Sequence, residues 1–214
     1  MSRVDPVMAA LIERVGPCTL ATRKDYFGAL CQSIINQQIS TAAALTVWSR
    51  FRLLFPRRIP KPELVLKLDE PALRGVGLSR QKTVYMRSLA DAFTTGLVPV
   101  KRLAKMSDEE VVQALIQVKG IGRWTAEMFL IFVLNRSDLL PVDDLGLCKN
   151  AQLVYGLKDY PKAAVMNALA EKWRPYRSFA TWYLWRNGGR APETTAAETS
   201  GKITPVPRRP RNAK

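Results

Sequence analysis

The chain has 214 residues and a mass of 24.0 kDa, and 47% of it is apolar, enough for one medium domain or two small ones with a sizeable core and no dependence on disulfides. Lysine and arginine number 33 against 18 acids, a net charge of +15 and a pI near 10.1, which points to a polyanionic partner. The sequence holds no histidine, which excludes Ser-His-Asp hydrolysis, histidine general bases and histidine-ligated metals. Chemistry must then run on carboxylates, lysines, thiols, amides or backbone groups.

In chain order, segment 5–15 reads as a short amphipathic helix whose Glu13 and Arg14 rule out a signal peptide. Segment 25–36 places Phe27, Leu30, Ile34 and Ile35 on one face at helical spacing. Ser40 caps a helix through about Phe55, ended by Pro56. Ser79 caps another through about Phe93. Ser107 and Glu110 match a capping box that opens a helix to about Gln117. Arg123 to Leu134 is apolar on most sides and predicts a central buried helix. Its apolar run from Met128 to Leu134 falls far short of the roughly 20 residues of a membrane span. Pro161 fits the first turn of a further helix, and 173–187 predicts the last one.

No stretch alternates convincingly, so the predicted architecture is all-α. Cys18, Cys31 and Cys148 form no metal-binding spacing and read as small buried side chains in a reducing compartment. From residue 191 the chain carries five basic and two acidic residues with repeated Pro and Gly breakers, which predicts a disordered basic tail over 191–214. The preceding body is itself strongly cationic. A soluble chain is expected, cytoplasmic, or nuclear if eukaryotic.

Three local patterns carry chemistry. The first is Val118 to Glu127, VKGIGRWTAE, lying between two predicted helices. Glycines two apart permit a tight hairpin with positive φ and leave backbone N–H groups uncovered at a helix start, an anion site. A plain helix–turn–helix corner is the ordinary alternative, but Lys119, Arg123 and the global charge favour a nucleic-acid phosphate. A looser echo, Val76 to Lys82, also sets a glycine in a turn before a helix. The second pattern is Leu140 to Gly146, LPVDDLG, with adjacent carboxylates Asp143 and Asp144 before a helix. An N-cap is the common role of such an aspartate. Yet an acid held on a phosphate-binding surface suggests chemistry that needs a local negative charge. The third is an aromatic cluster, Trp173, Tyr176, Trp182, Tyr183 and Trp185, joined by Trp124. Core packing is the usual reading, and base stacking the functional one.

Together with Ile35 to Ser40, INQQIS, and Trp173 to Ser178, WRPYRS, these motifs resemble the helix-hairpin-helix DNA glycosylases, most closely the DNA-3-methyladenine glycosylase II branch. The resemblance runs from about residue 25 to about 188. It implies an all-α fold of two helical subdomains flanking a cleft, 1–24 plus 141–190 forming one and 25–140 the other. The helix-hairpin-helix itself would span about 108–134. The β domain that precedes the first motif in some members has no room here, which implies the compact form.

The resemblance also implies removal of alkylated bases from double-stranded DNA in base-excision repair, by a monomer with no cofactor and no membrane. Asp144 aligns with the catalytic aspartate, leaving Asp143 as a cap or orienting group. Trp124 stands where lyase-active members carry a Schiff-base lysine, so the chain is expected to be monofunctional. Trp124, Met128 and Trp185 would form the base pocket, Met128 replacing a tyrosine of a relative. Gln38 and Ile39 would enter the minor groove, as would Leu78 and Ser79 of the Gly77-Leu78-Ser79 turn. Gly120, Gly122, Arg123 and Thr125 would grip a phosphate. The carbonyls of Ile116, Val118 and Ile121 would hold a monovalent cation.

A cationic alkylated base leaves without protonation, so a histidine-free site with one carboxylate suffices. Two rivals remain at this stage. One is a non-catalytic DNA-binding module that uses the hairpin as a phosphate clamp. The other is a glycosylase of different base specificity.

Overall fold

The computed structural model describes residue 1 and residues 3–187, and the tail predicted over 191–214 lies outside the described residues. Among the described residues there are eleven α-helices and no strand, as the missing alternation requires. Helix α1 covers Pro6–Val15, α2 Tyr26–Asn36 and α3 Thr41–Leu53. Then come α4 at Pro62–Lys67, α5 at Glu70–Gly75, α6 at Arg80–Thr94 and α7 at Asp108–Ile116. The chain continues with α8 at Arg123–Phe132, α9 at Leu145–Tyr155, α10 at Ala163–Ala170 and α11 at Arg177–Asn187.

The starts follow the caps. Ser40 Oγ accepts from Ala43 N–H at 3.3 Å, and Ser79 Oγ from Lys82 N–H at 3.1 Å. Ser107 and Glu110 close the capping box in both directions. Between residues 56 and 78 the sequence predicts no helix, but the structure builds a 3-10 turn, α4 and α5 there. Six residues give no readable period; the usable signals are Pro62 at the start of α4 and Asp69, which caps α5. The single helix predicted over 173–187 is divided. A 3-10 turn ends at Trp173, and α11 begins only after Pro175, which cannot continue a helix. Pro161 precedes α10 and its cap residue Lys162 rather than lying in the first turn.

Two hydrophobic clusters form. One gathers Leu30, Ile34, Phe51, Met86, Leu89, Val111 and Leu115 with neighbours from α2 to α8. The other gathers Met8, Leu11, Leu147, Met166, Trp173, Leu184 and Trp185 from α1 and α9 to α11. Helix α8 serves both: Ala126, Phe129 and Leu130 face the first cluster, while Met128, Ile131 and Phe132 face the second. Its apolar girth is thereby explained.

The second cluster is pinned by an aspartate that the sequence did not single out. Asp5 is fully buried and caps α1 through the N–H groups of Val7 and Met8, each at 3.1 Å. It also accepts from Tyr155 Oη at 2.6 Å and Trp173 Nε1 at 2.9 Å, with Lys172 Nζ at 3.2 Å. Burial pushes its carboxyl up, but the bonds from Tyr155, Trp173, Met8 and Lys172 outweigh burial and hold it at about 2.

Candidate functional site

Asp144 is the N-cap of α9, and its carboxylate collects three N–H donors. Oδ1 accepts from Leu147 N at 2.5 Å and from Trp185 Nε1 at 2.9 Å. Oδ2 accepts from Trp124 Nε1 at 2.7 Å. All three donors are neutral, and among the described residues no lysine or arginine pairs with it. Asp144 is thus held in place by neutral donors, with no ion-pair partner among the described residues. The cap role expected of Asp143 belongs to Asp144 itself; Asp143 is exposed. Gly146 gives the site its tightness, since a Cβ there would stand 3.2 Å from Asp144 Oδ1 and 3.8 Å from the Trp185 ring. Burial pushes the Glu127 carboxyl up, and Asp143, Glu109 and Asp144 add to the rise against the pull of Arg123.

Trp124 and Trp185 bond to the same carboxylate but differ in access. Trp124 is 47% exposed, whereas Trp185 is buried and stacks on Phe132 with centroids 5.5 Å apart. A cavity of about 380 Å³ opens beside Trp124, within the range of small-molecule sites. Trp124, Met128, Phe129 and Phe132 line its apolar side. Arg23, from the stretch before α2, and Gln32, Ser33 and Asn36 of α2 add polar lining that sequence reasoning missed, the α2 residues because that segment was read for its apolar face only. Of the three residues expected to form a base pocket, Trp124 and Met128 line this cavity. Trp185 sits behind Phe132 with no free face, so the structure gives it contact with Asp144 instead.

Two loops and helix α6 converge next to the cavity. Gln37 Nε2 donates to Gly120 O at 2.9 Å, tying the 37–39 loop to the 119–122 hairpin. Lys82 Nζ, its pKa lowered by burial, donates to Ile35 O at 2.7 Å and ties the last turn of α2 to α6. Lys119 N donates to Ser88 Oγ at 3.2 Å. Gln38 has φ +56°, a left-handed conformation uncommon for a side chain with a Cβ, and it leaves both Gln38 and Ile39 exposed. Ser79 is exposed as expected, though its hydroxyl is engaged as a cap. Leu78 corrects the expectation: it is buried in the first cluster, since an apolar side chain at that turn gains more from the core than from solvent. It does not project from the surface.

In the hairpin, Gly120 has φ +93°, and a Cβ there would meet the Tyr85 ring at 2.3 Å. Gly122 is extended at φ −96°, so only one of the two glycines needs left-handed freedom. Gly122 instead leaves open space over the start of α8, where the N–H groups of Arg123, Trp124 and Thr125 have no acceptor within the helix. Thr125, expected to help grip a phosphate, is buried. Arg123 also departs from expectation. Its guanidinium is paired in a fork with Glu109, at 2.7 and 3.1 Å, and holds that carboxyl at about 2. Of the three carbonyls expected to hold a cation, that of Val118 accepts the Ile121 N–H at 3.0 Å, which leaves it one lone pair.

Comparison with known proteins places this geometry. A family model described as HhH-GPD superfamily base excision DNA repair protein matches residues 31–175. DNA-3-methyladenine glycosylase 1 of Schizosaccharomyces pombe is 34% identical over 199 residues, covering 91% of this chain and 87% of its own. Among solved structures, the S. pombe 3-methyladenine DNA glycosylase Mag1 in complex with abasic DNA superposes with a TM-score of 0.79 at 32% identity, over 89% of this chain and 95% of that one. A DNA-3-methyladenine glycosidase from Bacillus halodurans gives a TM-score of 0.77 at 33% identity, over 88% and 87% of the two chains.

Proposed function

The chain belongs to the HhH-GPD superfamily of base excision DNA repair proteins, and we propose on that premise that it is a monofunctional DNA glycosylase for alkylated bases of the 3-methyladenine and 7-methylguanine type. The observation that carries this reading is Asp144, a carboxylate fixed by three neutral donors and paired with no cation among the described residues, beside an exposed tryptophan and a cavity. It acts as a monomer on duplex DNA, in the cytoplasm of a bacterium or the nucleus of a eukaryote. Of the expected subdomains, 1–24 with 141–190 and 25–140, the two hydrophobic clusters support the division over the described residues up to 187, except that Met128, Ile131 and Phe132 of α8 pack into the second cluster.

The duplex hides the bond to be cut, so the nucleotide must be rotated out, at a few kcal/mol. Ile39 enters the gap as an apolar wedge, and Gln38 offers its amide to the orphaned partner base. The free N–H groups at the start of α8, with Gly120 and Gly122, hold a phosphate of the same strand. A monovalent cation on the hairpin carbonyls would add positive charge there. The extruded base stacks on Trp124, gaining roughly 0.5–2 kcal/mol from cation–π attraction when it is alkylated and charged.

Such a base departs as a neutral ring, and positive charge builds on the sugar instead. Asp144 stabilises that oxocarbenium-like sugar and orients the attacking water. Trp185 and the α9 N-terminus keep the carboxylate aimed. Mass spectrometry of bases released from methylated genomic DNA tests the reading. Release of 3-methyladenine and 7-methylguanine is expected; an intact spectrum from folded protein would overturn it.

A further inference from the structure

Arg123 is the first residue of α8, beside the N–H groups of Trp124 and Thr125 that have no acceptor within the helix. Its guanidinium nevertheless turns back to α7, where Nη2 donates to Glu109 Oε1 at 2.7 Å and Nη1 to Oε2 at 3.1 Å. Glu109 is braced from its own helix, since Gln113 Nε2 donates to Oε1 at 2.7 Å. Three donors thus fix the carboxylate, and the carboxylate fixes the arginine. Glu127 and Asp143 also act on Arg123, more weakly than Glu109.

The pair is a poor device for stability. Its side chains are 51% and 60% exposed, and ion pairs so exposed contribute about 0–1 kcal/mol. It also works against a grip on DNA. In a chain of 33 basic and 18 acidic residues, an acid fills the bidentate fork with which this arginine would otherwise hold a phosphate.

We propose that Glu109 is a positioning residue that withholds the Arg123 guanidinium from the DNA backbone and so limits how tightly the chain holds its product. The proposal rests on the glycosylase reading. Substrate and abasic product carry the same phosphates, so a backbone contact binds both alike. Such uniform binding adds nothing to the cleavage step and slows departure of the product. With the arginine masked, the hairpin meets a phosphate through neutral N–H groups, and the charged contact is left out.

The test is a double-mutant cycle on Glu109 and Arg123, read as affinity for a duplex with a stable abasic site across a salt series. Glu109→Ala should tighten binding about three- to tenfold at about 50 mM salt. It should also steepen the slope of log K against log salt by about 0.9, the value for one added phosphate contact. Its steady-state release of 7-methylguanine should fall relative to its single-turnover rate, because the product leaves more slowly. Adding Arg123→Gln should abolish the gain, and should cost more affinity in the Glu109→Ala background than in the wild-type chain. Should Glu109→Ala fail to fold, Glu109→Gln, which keeps the shape and loses the charge, is read in its place. Unchanged affinity and slope, the result for a purely structural clamp, overturn the proposal. Equal costs of Arg123→Gln in both backgrounds also overturn it, since Glu109 would then act only as a general negative charge. A wild-type chain that releases no 7-methylguanine would instead overturn the glycosylase reading, and this inference with it.

Discussion

The indole N–H of Trp124 donates to Asp144 Oδ2 at 2.7 Å, so a half-exposed ring and the capping carboxylate of α9 are joined by one bond across 20 residues of chain. Asparagine caps about as well as aspartate, and its single amide oxygen can still accept from Leu147 N and Trp185 Nε1, so Asp144→Asn should fold while losing the charge and the acceptor for Trp124 Nε1. Release of 7-methylguanine should fall at least about a hundredfold, the scale for removing one preorganised charge-stabilising group. Near-wild-type release would take Asp144 out of the chemistry. Trp124→Phe keeps a ring and loses only this bond, and should show a smaller loss, about tenfold.

Ile39 is exposed and Leu78 is buried, so two apolar residues expected to act alike should separate. Ile39→Ala should leave stability within about 0.5 kcal/mol and weaken binding to lesion duplex, with excision from single strands less affected. Leu78→Ala should cost about 2–5 kcal/mol of stability by opening a cavity, with DNA affinity per folded molecule retained. Denaturant titration paired with a binding isotherm distinguishes them, and the reverse assignment would contradict the geometry.

The hairpin glycines also divide. Gly120→Ala must adopt a strained φ and push into Tyr85, and should destabilise by roughly 1–3 kcal/mol. Gly122→Ala meets open space and should fold normally. Its methyl stands where a phosphate would approach the α8 N–H groups, so the expected defect is weaker DNA binding, read by fluorescence anisotropy against salt.

The Asp5 carboxyl is held at about 2, below its ordinary value of 3.8. A depressed carboxylate contributes stability that is fully present above the ordinary value and is lost as pH falls toward the folded one. Asp5→Asn should therefore be less stable than wild type by on the order of 2 kcal/mol at pH 6. The gap should close between about pH 4 and pH 2. A gap that stays constant over that window would show that Asp5 acts by packing alone.

Much of this was readable from sequence because single residues carried it. Ser40, Ser79 and the Ser107–Glu110 pair each mark a helix start by local chemistry alone. Asp144, Trp124 and Ile39 were singled out by the family resemblance of their motifs, and the structure brings the first two into contact. What was illegible is what depends on distant partners. Asp5 is one acid near the chain start until folding brings Tyr155 and Trp173 to it. Arg23 and Gln32 are unremarkable until α2 and α8 enclose a cavity between them. Leu78 and Trp185 are buried for a reason of the same kind: motif position tells which residue lies near a site, and packing decides which face of it is free.

Helix α8 lends one side to each hydrophobic cluster and carries Trp124 at its first turn. Neither half can therefore melt and leave the other's interior intact. Heat should produce a single cooperative transition, with calorimetric and van't Hoff enthalpies in agreement. Thermal damage to such a molecule has no halfway form that still grips its substrate after losing its reactivity, so a population of heated molecules divides into fully competent and fully inert ones.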